Sequence, residues 1–124
     1  MVRTVSAALK ARQGETAIDW FPDWRDQTCV IVASGPSAKS IDLSSAQARV
    51  KFVAVNNSWQ LCPWADVLYA CDYSWWRLHK GVPEFKGLKV SQHATVAHNF
   101  RDIKMVSCVR SYDGGDQIRT ERKG

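Results

Sequence analysis

Cys29-Val-Ile-Val-Ala-Ser-Gly-Pro-Ser37, followed by Phe52-Val-Ala-Val-Asn-Asn-Ser58, decides the fold of this chain. Each stretch is a short apolar run that ends abruptly in small polar residues. Runs apolar on both faces and rich in β-branched residues, here Val30, Ile31 and Val32, read as buried strands of a parallel sheet. A third unit, Asp66-Val-Leu-Tyr-Ala-Cys-Asp72, repeats the pattern and leads into Tyr73-Ser-Trp-Trp-Arg-Leu-His79. The predicted strands are 28–33, 51–55, 67–71, 88–91 and 103–109. A helix is predicted over 73–79, ended by Gly81 and Pro83, and a short one over 44–49, capped by Asp42 or Ser40. Strands alternating with helical connections argue for an open α/β sheet, whose ligands bind outside the carboxyl ends of the strands. The connections are brief, so short helices are expected on at least one face.

The 124 residues suffice for one small core, with 45% hydrophobic and 23% charged residues in the ordinary globular range. No apolar run approaches the roughly 20 residues that span a bilayer, and the first ten residues lack the continuous apolar stretch of a signal peptide. The expectation is therefore a cytoplasmic chain with no membrane partner. Residues 1–27 read as an N-terminal extension, 28–109 as the α/β domain, and 110–124 as a polar, basic, disordered tail. Residues 1–13 favour a short helix or a frayed end.

The net charge of +5 sits largely at the two ends: Arg3, Lys10 and Arg12 on one side, Arg119, Arg122 and Lys123 on the other. Without a basic face interleaved with aromatics, nucleic acid is the weaker reading of this excess. Cys29, Cys62, Cys71 and Cys108 form no C-x-x-C pair, which argues against a structural zinc site. Three of them fall in apolar runs as small hydrophobes. Cys62, before Pro63, is the one in a loop.

The strand ends carry the candidate chemistry. Ser34-Gly35-Pro36-Ser37 lacks the Gly-Lys-Ser/Thr of a P-loop and is not a G-x-G-x-x-G turn. Gly35 permits a sharp turn and close backbone approach, Pro36 stiffens it, and Ser34 and Ser37 add hydroxyls. A helix starting after Ser37 would aim its N-terminus at an anion; a plain strand-to-helix turn is the competing reading. Asn56-Asn57 supplies amide groups suited to ribose hydroxyls or a base edge, or else forms an Asx-turn. Asp72 accepts from a ribose or holds a metal, or else caps the helix that follows, its default role. Trp75 and Trp76 are adjacent on that helix and cannot share one face. Trp59 and Trp64 flank the Asn56 loop and either stack on a base or pack as a lid. His79, His93 and His98 have no interpretable catalytic spacing, and no catalytic group or metal set emerges.

Val30–Ser37, Asp42, Ala54–Ser58 and Ala65–Trp76 together resemble the N-terminal half of a Rossmann-like superfamily. It includes phage and prophage proteins often called norphogenetic, MptE-like 6-hydroxymethylpterin diphosphokinases and flagellar motility accessory factors. Bacterial CMP-sialic acid sialyltransferases share the Gly-Pro-Ser turn and an Asn at the second strand end. The resemblance spans roughly residues 28–80. It implies an incomplete Rossmann-like three-layer α/β fold with a mostly parallel sheet. It also implies a nucleotide or nucleotide-activated small molecule, with or without magnesium, bound by Ser34, Gly35, Pro36, Ser37, Asn56, Asn57 and Asp72. The activity implied is that of a transferase using a nucleotide-sugar or pyrophosphoryl donor. Its relatives draw further catalytic groups from a later half, so a truncated or minimal version is expected here. The alternative is a non-catalytic interaction protein, docking a partner or a second copy, with a vestigial crevice.

Overall fold

A computed structural model of the chain describes residues 2–6, 20–110 and 116–119, with side chains over 20–107. Six strands form one sheet: β1 (Val2–Ser6), β2 (Thr28–Val32), β3 (Lys51–Val55), β4 (Val67–Tyr69), β5 (Leu88–Ser91) and β6 (Ile103–Met105). They lie side by side in chain order, β2 to β6 all parallel and β1 antiparallel against β2. Two short helices, α1 (Tyr73–Leu78) and α2 (Ala94–Asn99), and three 3-10 turns supply the connections. A hairpin of β7 (Ser107–Arg110) and β8 (Asp116–Arg119) follows β6. This is the expected α/β, Rossmann-like arrangement with a mostly parallel sheet, incomplete in extent.

Strand order fixes where the connections go. All four crossovers between β2 and β6 step in the same direction, and a common right-handed sense puts them on one side of the sheet. The packing agrees. Val30, Val32, Phe52, Ala54, Leu68, Ala70 and Ile103, from one sheet face, form a single core with Ala38, Leu43, Cys62, Trp76, Val82, Phe85 and Val96 from the connections. Fully burying a side chain such as Leu68, Val32 or Phe52 contributes roughly 1.5–3 kcal/mol. Trp76 is also completely buried, its indole N–H donating to the Ala70 carbonyl at 2.9 Å. The opposite face is thinner: Val67, Val90 and Val106 are buried there, with Trp20, Trp24, Val53, Tyr69 and Leu88 partly covered around them. What is incomplete is the layer beyond this second face, where the described residues bring only the segment of Trp20 and Trp24.

The amino ends of the strands are pinned by side chains. At the amino end the Asp66 carboxylate accepts from Phe52 N–H at 2.9 Å, tying β4 to β3. Gly87 is required beside it, because a Cβ would lie 2.7 Å from the Ala65 and Asp66 carbonyl oxygens. Past α1, Lys80, Gly81 and Val82 all have positive φ (54°, 73° and 48°). That is a costly conformation for a β-branched residue, held only where its surroundings over-determine it. The holding group is Lys89, on the core face of β5. Its buried ammonium donates to the Gly81 and Val82 carbonyls at 2.9 Å each and to Asp102 at 2.7 Å.

Several expectations need correction. Residues 2–6 form a strand, not a helix or a frayed end, paired from Val2↔Val32 to Ser6↔Thr28. The helix expected over 44–49 is one 3-10 turn, Ser44–Ala46, with Asp42 accepting from Ser44 N–H at 3.1 Å. The run 103–109 divides at Val106, whose N–H bonds to the Ser91 carbonyl beyond the last β5–β6 pair. Helix α2 was not expected, and the tail read as disordered contains β8, paired with β7.

Candidate functional site

The carboxyl ends of β2, β3, β4 and β5 are consecutive neighbours, so the loops leaving them line one edge of the sheet. In register, Val55 lies beside Tyr69 and Tyr69 beside Val90. Asn56-Asn57, Cys71-Asp72 and Gln92-His93 therefore leave the sheet within a residue or two of one level. All seven sequence-predicted site residues lie along this edge, each in a different state.

Ser34 is exposed in the bend after β2. Gly35 has φ −67° and ψ 151°, an extended conformation open to any residue, so its special freedom is not used. Pro36 begins a 3-10 turn, Pro36–Ser40, rather than the helix expected after Ser37. Ser37 is exposed and its carbonyl accepts from Ser40 Oγ at 2.8 Å. A single turn carries little macrodipole, so the anion-binding reading of this loop loses its main physical support.

Asn56 takes a left-handed φ of 52°, which asparagine tolerates. This reverses the chain out of β3, and the adjoining Ser58 locks the reversal. The buried Ser58 hydroxyl accepts from Val55 N–H at 2.8 Å and lies within bonding distance of the Val32 and Val55 carbonyls. Asn57 is exposed, and its Oδ1 accepts from Trp75 Nε1 at 2.9 Å. An indole N–H can only donate, so the Asn57 oxygen must face it and the Nδ2 donors face away.

Asp72 occupies the N-cap position of α1 with φ −82° and ψ 132°, yet its carboxylate makes no capping bond. Its carbonyl accepts from Trp76 N–H at 3.3 Å, while its exposed side chain is not committed to the helix. The default role expected of Asp72 is thus half met: the backbone serves the helix and the carboxylate does not.

Sequence reasoning missed the end of β5. Ser91 is fully buried, donating to the Cys71 carbonyl at 3.3 Å and accepting from His93 N–H at 3.2 Å. Gln92 bridges two strands, accepting from the Tyr69 hydroxyl at 3.0 Å and donating to Cys71 Sγ at 2.8 Å. His93 caps α2, its Nδ1 accepting from Thr95 N–H at 3.3 Å, and its ring stacks on Tyr73 at 6.2 Å between centroids. A backbone N–H only donates, so in the neutral ring Nε2 carries the proton. The signal was available: Ser91-Gln92-His93 follows an apolar strand just as Asn56-Asn57-Ser58 does.

The tryptophans divide as their adjacency required. Trp76 is core, and Trp75 packs across Trp76 at 89° and onto His79 at 4.3 Å while reaching Asn57. Trp64 packs edge-on against Phe52 at 4.7 Å, near the amino end of the strands and away from this edge. Both Trp59 and Trp64 lean on the core. Cys62 is fully buried, and burial pushes its thiol up to about 11; burial and the nearby Asp66 charge raise that of Cys29. Neither suits a nucleophile.

Among the described strand-end residues 33–40, 55–59, 70–73 and 91–94, the formally charged side chains are Lys39, in the turn after β2, and Asp72. No group of three or more His, Cys, Asp and Glu among the described residues could hold a metal ion, and no described helix is long and apolar enough to cross a membrane. No family model, curated protein or solved structure matches the chain.

Proposed function

We propose that this chain binds a nucleotide or nucleotide-activated small molecule along the carboxyl edge of β2–β5. One observation carries the reading. The ends of β3 and β4 present an exposed carboxylate that makes no capping bond, Asp72, and an exposed amide, Asn57, whose donors are turned away from Trp75. The phage-type assignment and the transferase chemistry, with a nucleotide-sugar or pyrophosphoryl donor, rest on the resemblance of residues 28–80 alone; no catalytic group is assigned. A second reading, a non-catalytic interaction protein, is favoured by the partly covered Ile31, Val53, Tyr69 and Leu88 on the second sheet face.

Thermal unfolding of the full chain against CMP, CMP-sialic acid, UDP-sugars, ATP and GTP, with and without magnesium, separates the two. A ligand at about 100 times its dissociation constant adds roughly 2.7 kcal/mol. A shift for one class that Asn57→Ala removes supports binding at this edge. A cooperative melt that no member of the panel shifts favours the interaction protein.

A further inference from the structure

We draw no further inference here: the strongest candidate, the second sheet face on which Val53 and Leu88 are only partly covered around the buried Val67 and Val90, carries none because nothing in the structure shows what covers it.

Discussion

Replacing Lys89 by Met tests whether one buried cation holds the turn behind α1. Met keeps most of the apolar stem and removes the ammonium, whose side chain is only 7% exposed. Two carbonyls, Gly81 and Val82, lose their donor inside the core. A buried acceptor left unpaired costs about 1–3 kcal/mol. Breaking a buried ion pair costs about 3–5 kcal/mol when the remaining charge is also buried. Here the remaining partner, Asp102, is 64% exposed and water can solvate it. Relief from dehydrating the ammonium offsets part of the loss as well. The net expectation is about 2–4 kcal/mol, and at about 3–5 °C per kcal/mol for a domain of this size the melting temperature should fall by about 6–20 °C.

Asp102→Asn is the control. It keeps an acceptor oxygen at the same place and loses an exposed charge, so it should cost less than about 1 kcal/mol. The pair also has a pH signature. The hydrogen bond from Lys89 holds the Asp102 carboxyl below the usual carboxylate range. Its contribution is complete above about pH 4, the ordinary aspartate value, and is lost as pH falls through the depressed folded value. That acid-side slope should be shallower in both variants. Denaturant melts of the three proteins between pH 3 and 7 decide the matter. A Lys89→Met cost below 1 kcal/mol, or an Asp102→Asn cost equal to it, would refute the clamp.

Two further outcomes follow from burial. Trp76→Phe leaves a void and orphans the Ala70 carbonyl, and should destabilise by about 2–4 kcal/mol in denaturant melts. A thiol reagent at neutral pH should label Cys71, which is half-buried, and leave Cys29 and Cys62 untouched until the chain unfolds; Cys71→Ser should remove one equivalent. Because the Cys62 thiol is raised, its contribution is complete below the unfolded value of about 8.5 and is lost as pH rises toward about 11.

The strands were legible where composition and boundaries agreed. Lys51–Val55 and Leu88–Ser91 fall where apolar, β-branched runs meet polar residues, and they stand at the predicted positions. Helix α1 was readable from the Gly81 and Pro83 that follow it. Helix α2 was not, because six residues with one buried position, Val96, show no period, and its cap is a histidine ring. Strand β1 carries no apolar run, and its pairing with β2 is a long-range contact that local pattern does not encode. The site divides in the same way. Polar residues at strand ends are local and could be read. That Asn57 Oδ1 accepts from Trp75, that the Asp72 carboxylate makes no capping bond, and that His93 stacks on Tyr73 all depend on tertiary packing.

Strand order bears most on how function should be sought. In doubly wound sheets a crevice opens where the order reverses and neighbouring loops part toward opposite faces. From β2 to β6 the order here never reverses, so the loops after β2, β3, β4 and β5 all turn to the same side. We read the candidate site, which no reversal of strand order opens, as a ledge rather than a cleft. Compact ligands in formed pockets bury most of their surface; a ledge covers less, and affinity must come from a few polar contacts in competition with water. Dissociation constants near 1 mM are then the reasonable target, and a micromolar screen would wrongly read as no binding. At ten times such a constant the stabilisation is still about 1.4 kcal/mol, a rise of about 4–7 °C in melting temperature. Ligand at 10 mM, with Asp72→Asn as the matched control, is therefore the concentration at which absence of a shift counts against the site.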